Sequence, residues 1–524
     1  MTRFIKYFGV FQKGLLSLIQ MCHIGGALVL ATVVGLVNYD IVARNLFSLP
    51  FLGIEEIVSL GIPIIVFLAT PMQVLSRSLI STDFLVTRST RIIRLGLYSY
   101  SEYFTLLISG IVFLSVVPLF NYAIKNDQFI GVVGVFTMTL WPLKLAILIG
   151  FGLAFVASLF HIGRLICSNR SSSFLVSFCL FIATPIPFYV LSGSASIGLG
   201  AIFLLFLLLL AGVPVVFSLM TAASVGIAVM KGDFLVAANS LGLVVNSAAT
   251  SYVLAAVPFF ILMGLVVGKA NIGRDSLTVA HWLFRSVKGG FGVATVAANT
   301  VFAAITGISI ASAAIFSRVA APPMIELGFT ARFSLGLIAG SSVLGMLIPP
   351  SLLLIIYGVI AEVSINKLFL AAIVPGIILA LMLCATVIIC VLFRLPFAVT
   401  SEYSDVPPKP EKINTILLMM APTLTLLFVV IGGIYGGIFT PTEAGAVGAL
   451  MAIFIALAMK RVTFIQTYNL IKDAAGKTAS ILLMVIAATS FGLMITLSGL
   501  PDIMSSIASG SGLGLTGYVF IYLV

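Results

Sequence analysis

The 524-residue chain is too apolar for a soluble protein, because 61% of its residues are hydrophobic and only 8% are charged. Soluble domains carry about 25% charged and about 45–50% apolar residues, so lipid must surround most of this chain. The formal net charge of +11 comes from bases spread through short connections between apolar runs. This pattern reflects membrane topology and lacks the basic stripe of a nucleic-acid-binding protein. We therefore expect the lipid bilayer as a partner and no nucleic acid.

The sequence offers little for metal or covalent chemistry. Five cysteines and three histidines are scattered without a Cys-x-x-Cys pair or metal-ligand spacing, so we expect no disulfide framework and no transition metal. It also contains no G-x-S-x-G, H-E-x-x-H or Walker pattern. We expect neither an enzyme nor an ATP-driven pump, and no cofactor.

The N-terminal part predicts four membrane spans. A helix needs about 20 apolar residues to cross the hydrocarbon, and suitable runs extend over Leu15–Val37, Ile57–Val74, Tyr103–Tyr122 and Leu143–His161. The loop from Arg77 to Arg94 holds four arginines against one acid, which places it and the N-terminus in the cytoplasm. Residues 1–170 therefore form a four-helix unit, called here the N-terminal unit, with its second loop outside.

The rest of the chain divides into two halves. A connecting helix is expected within residues 171–194, and a polar, Pro-rich cytoplasmic linker at residues 395–412 separates a first half (195–394) from a second half (413–524). Each half opens with two apolar runs joined by a Gly- and Pro-containing turn. The basic flanks give the two halves opposite orientation, as in the inverted repeats of many secondary transporters.

Three segments at membrane depth interrupt the apolar runs with Gly, Ser, Thr or Pro: Phe302–Ser312, Gly340–Ser351, and Ala487–Ser490 followed by Thr496–Pro501. Such backbone is tolerated only where it is buried in protein or lines a cavity. The first segment lies between basic flanks that are both expected in the cytoplasm. We therefore expect the chain to turn back inside the membrane, either there or within Val257–Val267.

Interrupted helices of this kind predict a binding site near the middle of the membrane. Free carbonyls and hydroxyls suit a small hard cation, and helix N-termini suit an anionic solute; the alternative is that small residues only allow close helix packing. The candidate ion- or solute-binding residues are Thr306, Gly307, Ile308, Ser309, Ser312, Ser342, Gly345, Pro349, Pro350, Ser351, Thr496, Ser498 and Gly499.

A second set of candidates is charged and lies at the outer membrane edge. Arg44 follows the first span, and Glu55 and Glu56 precede the second. We expect an interfacial salt bridge among them, with contact to a partner or scaffold as the alternative. Glu443 opens a helix, either as an acid favoured by the helix dipole or as a packing residue of the transport core.

Several motifs resemble the large membrane subunit of tripartite ATP-independent periplasmic (TRAP) transporters. They are Val257–Gly264, Thr306–Ser309, Pro323–Phe329, Leu347–Ser351, Pro375-Gly376 and Phe439–Ala444. The first four spans resemble the small membrane subunit, with Arg44 and Glu55-Glu56 at its expected places. The chain thus resembles a fusion of the two subunits.

The resemblance implies a sodium-coupled importer in the bacterial inner membrane, with a cytoplasmic N-terminus and sodium as the only metal. The importer would take a small organic acid from a periplasmic substrate-binding protein and move it by an elevator motion against a scaffold that includes the N-terminal unit. The expected fold is an all-α polytopic membrane protein: a four-helix unit plus an inverted-repeat transporter with interrupted helices and re-entrant hairpins.

Two departures from the family accompany the resemblance. The family commonly has Ser-Gly-Ser-Ser where this chain has Thr306-Gly307-Ile308-Ser309, and the sequence stops at Val524 inside an apolar run, so we expect an incomplete second repeat. The main alternative function is another inverted-repeat ion-coupled anion carrier or exchanger that needs no binding protein. A membrane scaffold or sensor without transport is a second alternative.

Overall fold

The structure is a computed structural model that describes residues 2–82, 84–167, 193–248, 250–404 and 413–510, together with residues 177, 181 and 184. Within that part of the chain, nine helices are long and apolar enough to cross a membrane, and a bent helix pair makes ten if it is counted as one span. The expected all-α polytopic membrane fold is confirmed. The connecting helix lies almost wholly outside the described residues, as do residues 405–412 and 511–524.

The N-terminal unit contains the four predicted spans, each extended at its ends. Helices α2 and α5 approach closely at Gly150 of α5. A side chain at this position would collide with the backbone oxygen of Phe67 in α2. The unit comprises α1 (Thr2–Phe47), α2 (Ile54–Leu75), the short α3 (Phe84–Arg88), α4 (Arg91–Lys125) and α5 (Trp141–Cys167).

A β-hairpin joins α4 to α5, where the sequence predicted only a loop. Strands β1 (Phe129–Val132) and β2 (Phe136–Thr139) pair antiparallel. The buried Lys144 holds the base of the hairpin: its Nζ donates to Gln128 Oε1 at 2.5 Å and to the Leu119 carbonyl at 3.1 Å. The hairpin is therefore tied to the helices on both sides.

The first half begins with two packed helices and continues into shorter elements. Its helices are α6 (Ser194–Leu210), α7 (Val215–Lys231), α8 (Phe234–Ala248), a 3-10 turn (Tyr252–Ala255) leading into α9 (Ala256–Lys269), α10 (Ile272–Leu283), α11 (Gly290–Thr306), α12 (Ser309–Val319), α13 (Ala321–Glu326), α14 (Ala331–Ser342), α15 (Leu344–Leu347), α16 (Leu352–Ile360) and α17 (Ile365–Leu392).

The second half repeats the opening of the first in its order of elements. It comprises α18 (Ile413–Leu427), a π-helical segment (Phe428–Gly432), α19 (Gly433–Tyr435), α20 (Pro441–Ala458), α21 (Phe464–Leu497) and α22 (Leu500–Gly510). If the two halves are repeats, as predicted, element order pairs α18 and α19 with α6, α20 with α7, α21 with α8 plus α9, and α22 with α10.

The packing follows the same correspondence. Helix α7 of the first half packs against α21 of the second, and α20 of the second packs against α9 of the first. Helices α9 and α21 also pack on each other. These cross-contacts are the ones that two repeats related by a two-fold axis would make, and the repeat itself stays a prediction.

The N-terminal unit is joined to the rest of the chain by polar contacts from α1, from α2 and from the loop that follows α2. The Asn38 amide donates to the Ala446 carbonyl at 3.1 Å, and Ser480 donates to Gln73 Oε1 at 3.2 Å. The Val215 amide donates to the Ile80 carbonyl at 2.9 Å. The first two contacts hold α1 and α2 against helices of the second half, and the third holds the loop after α2 against the start of α7.

Candidate functional site

The first predicted interruption is a helix break at Gly307. Helix α11 ends at Thr306, Gly307 has φ +64°, and α12 begins at Ser309. The rings of Phe302 and Phe316 lie 5.7 Å apart, so the two helices run side by side and the chain reverses at the break. Of the two places predicted for a turn, the chain reverses at this one, because α9 is continuous through Val257–Val267; its place inside the membrane stays a prediction.

The second interruption separates α15 from α16 at Ile348–Ser351, and the helices on either side are bent by 44°. Ser351 bridges the gap, since its hydroxyl donates to the Met346 carbonyl at 2.7 Å and accepts from the Leu354 amide at 3.4 Å. Ser351 thus serves as the N-cap of α16. The predicted pair Pro349-Pro350 occupies the break itself.

The two breaks meet at one place, called here the junction. The Leu352 amide donates to the Gly307 carbonyl at 3.3 Å. A side chain on Gly307 would bring its Cβ within 2.9 Å of the Pro350 carbonyl oxygen, and one on Gly345 would lie 2.8 Å from Ala303 Cβ. Both glycines are therefore required for the close approach of the two segments.

The junction is rich in buried oxygen atoms. Two helices end there, at Thr306 and Leu347, and two begin, at Ser309 and Leu352. Helix ends present unpaired carbonyls, which favour a cation, and helix starts present amides, which favour an anion. The predicted residues Thr306, Ser309, Ser312, Ser342 and Ser351 are all buried. Such an arrangement supplies oxygen ligands to a hard cation without a carboxylate.

Sequence reasoning missed Asn299 of this polar cluster, and it placed Ser341 in the segment Gly340–Ser351 without naming it as a candidate. Both are fully buried, and the Asn299 amide nitrogen donates to the Ser341 hydroxyl at 2.7 Å. The signal was available, since a polar side chain within an apolar membrane helix is costly unless it has a function or a partner. Asn299 was overlooked because it stands outside the Gly- and Ser-rich motif.

The third predicted segment does not reach the junction. Thr496 lies near the end of α21, and Ser498 and Gly499 form the corner before α22. Ser498 packs against α6, where a side chain on Gly198 would lie 2.6 Å from its hydroxyl. By element order this corner matches the one between α9 and α10, rather than the break at Gly307. A role for these three residues in ion binding stays a prediction.

The predicted salt bridge among Arg44, Glu55 and Glu56 is wrong, because Arg44 pairs with other acids. Arg44 Nη2 lies 2.6 Å from Glu443 Oε1, and Nη1 lies 3.9 Å from Asp40. In the described part of the chain, Glu55 and Glu56 form no ion pair. Glu443 also caps α20, because it accepts from the Thr440 amide at 2.8 Å, so its predicted place at a helix start is confirmed.

Another charged cluster lies inside the N-terminal unit. The buried Glu102 carboxylate is 2.8 Å from Arg77 Nη2 and 3.0 Å from His161 Nδ1. It borders a cavity of about 220 Å³ whose wall also includes Gly212 and Pro214. The sequence did not pair these residues, because they come from three separate helices or their ends.

Two family models match the chain. Residues 202–524 match "Tripartite ATP-independent periplasmic transporter, DctM component", and residues 33–168 match "Tripartite ATP-independent periplasmic transporters, DctQ component". The first match covers more than half of the sequence. The chain belongs to the TRAP transporter permease family.

Relatives in this family differ in the solute that their names give. The chain is 32% identical over 289 residues to a C4-dicarboxylate TRAP transporter large permease protein of Pseudomonas aeruginosa, which covers 55% of this chain and 65% of the relative. It is 31% identical over 313 residues to an isethionate TRAP transporter permease protein of Oleidesulfovibrio alaskensis, covering 58% and 47%. A sialic acid TRAP transporter large permease protein of Vibrio cholerae is 32% identical over 316 residues, covering 58% and 70%.

The chain thus spans less than two thirds of the length of the first two relatives that it matches. The presence of both TRAP components in one chain confirms the predicted fusion of a small and a large membrane subunit. As a TRAP permease, the chain is a transporter component rather than an enzyme, and it is a multi-pass protein of the inner membrane.

Proposed function

We propose that this TRAP permease is a sodium-coupled importer of a small organic acid, which it receives from a periplasmic substrate-binding protein. The observation that supports it most is the junction, where the Leu352 amide reaches the Gly307 carbonyl and two pairs of helix ends converge. Sodium is a hard cation that prefers oxygen ligands. The candidate ligands are the carbonyls and hydroxyls of the junction residues already named.

The helix start at Ser309 gives the same region a place for an anionic group, whereas the Leu352 amide at the other helix start is already bonded to the Gly307 carbonyl. A carboxylate bound there would partly offset the charge of the bound cation. Each net positive charge carried inward gains about 2.3 kcal/mol per 100 mV, which corresponds to roughly 50-fold accumulation. A sodium-coupled cycle therefore needs no ATP site.

The packing supports a division of the permease into a stationary scaffold and a moving part. Arg44 and Asn38 of α1 contact α20, and Gln73 of α2 contacts α21. These helices form the stationary scaffold of the proposal, while the segment from α11 to α16 carries the junction and moves as the elevator. The outer ends of α1 and α2, with Glu55 and Glu56, provide the contact for the binding protein, and the N-terminus lies in the cytoplasm.

The names of the relatives supply the solutes for a test, since they include dicarboxylate, isethionate and sialic acid. The full-length permease in proteoliposomes would be given each labelled solute with and without the binding protein, in sodium or in choline. We expect uptake of an acidic solute only when both sodium and the binding protein are present. Uptake without the binding protein would favour the alternative anion carrier, and uptake in choline would contradict sodium coupling.

A further inference from the structure

Asn299 is the most fully connected polar side chain near the junction. It lies within α11, upstream of Gly307, and its side chain is fully buried. Its amide oxygen accepts from the Ser312 hydroxyl of α12. Its amide nitrogen donates to the Ser341 hydroxyl at 2.7 Å and to the Ile338 carbonyl at 3.2 Å, both in α14.

These partners fix the orientation of the amide. The Ile338 carbonyl can only accept a hydrogen bond, so the atom facing it must be the donor nitrogen. The oxygen then faces Ser312, which donates. Asn299 is therefore held in one orientation by bonds from two neighbouring helices, and an exchange of its two ends would leave a buried carbonyl facing another oxygen.

The contrast with the threonines of the same helix shows what is unusual about Asn299. The Thr295 hydroxyl donates to the Phe291 carbonyl at 2.8 Å, and the Thr300 hydroxyl to the Val296 carbonyl at 2.7 Å. Both bonds stay inside α11 and connect it to nothing else. Asn299 instead links α11 to α12, the helix after the break at Gly307, and to α14, the helix that leads to the second break.

We propose that Asn299 is a positioning residue for cation binding, an inference that rests on the proposed sodium coupling. It fixes α12 and α14 relative to α11 and so sets the spacing between the oxygens at Gly307 and those at Ile348–Ser351. Buried hydrogen bonds between elements resist sliding, because separating them leaves polar groups unsatisfied. Without Asn299 the two breaks still exist, but their oxygens are no longer held at one spacing.

The test compares Asn299→Leu with Thr295→Val in the full-length permease, purified in detergent. Both changes remove a fully buried polar group from α11, but only the first breaks bonds between helices. Thermal unfolding is measured while sodium is titrated, with potassium replacing sodium to keep the ionic strength constant. Ser341→Ala, which removes one of the Asn299 bonds without touching a candidate ligand, serves as a milder second variant if Asn299→Leu does not fold.

We expect Asn299→Leu, or Ser341→Ala in its place, to raise the sodium concentration for half-maximal stabilisation by about tenfold. Thr295→Val should leave that concentration unchanged even if it lowers the sodium-free unfolding temperature. Equal sodium midpoints for Asn299→Leu and the wild type would overturn the positioning role, whatever the loss of stability. A wild type that potassium stabilises as well as sodium would instead overturn the sodium coupling on which the inference rests.

Discussion

The guanidinium of Arg44 lies 2.6 Å from the carboxylate of Glu443, which stands 399 positions later in the chain. This ion pair joins the end of α1 to the first turn of α20, and so links the N-terminal unit to the second half. Glu443 is 7% exposed and Arg44 is 41% exposed. The buried carboxylate therefore depends on Arg44 and on the Thr440 amide for its charge compensation.

Replacing Arg44 should weaken the attachment of the N-terminal unit. In Arg44→Met the Glu443 carboxylate keeps its bond from Thr440 but loses its cation, at a cost of about 1–2 kcal/mol. We expect a lower unfolding temperature in detergent. Lys125→Met is the control, because this exposed lysine at the end of α4 forms no ion pair within the described residues. An equal loss of stability in both variants would contradict the structural role of the pair.

Hydropathy predicted the spans well, because crossing the hydrocarbon imposes a length and a composition on each helix. It could not pair Arg44 with Glu443, since Glu55 and Glu56 are nearer in the sequence and lie at the same edge. The choice between these acids depends on how α20 packs against α1. That packing is a tertiary relationship that no local pattern carries.

Reversing the charge of the unpaired acids Glu55 and Glu56 tests whether they act in contact with the binding protein or in ion binding. Glu55→Lys combined with Glu56→Lys should leave the sodium midpoint of the purified permease unchanged, because neither acid contacts the junction. Uptake that depends on the binding protein should fall, since both residues lie in the first turn of α2, the end proposed to contact the binding protein. A shifted sodium midpoint would contradict the assignment of this edge to the scaffold.

Close packing within the N-terminal unit gives a prediction about stability alone. Gly150→Ala should destabilise the protein by roughly 1–3 kcal/mol, because its methyl group would collide with the backbone oxygen of Phe67. Gly35→Ala is the matched helical control, since nothing lies within 4 Å of a Cβ at that position. We expect Gly35→Ala to be neutral or slightly stabilising. Thermal unfolding of the two variants would decide, and similar values would contradict the close contact of α2 and α5.

The candidate site was only partly predictable from the sequence. Gly307 and Pro349-Pro350 stood out because glycine and proline interrupt helices by their own covalent structure. Asn299 did not stand out, since its role depends on Ser312 and Ser341 arriving from other helices. The segment at Thr496–Gly499 carries the same residue types as the true breaks but forms a corner beside α6. Composition alone does not distinguish these two outcomes.

Sodium-dependent stabilisation of the full-length permease, measured for Gly307→Ala beside Gly437→Ala, tests whether the junction binds a cation. Both glycines have positive φ, +64° and +70°, so alanine strains the backbone at either position. Only the Gly307 methyl group would press on the junction, at 2.9 Å from the Pro350 carbonyl oxygen, whereas a Cβ on Gly437 meets nothing within 4 Å. We predict that Gly307→Ala abolishes the sodium-specific rise in unfolding temperature and that Gly437→Ala keeps it. A full sodium response in Gly307→Ala would contradict a cation site at the junction.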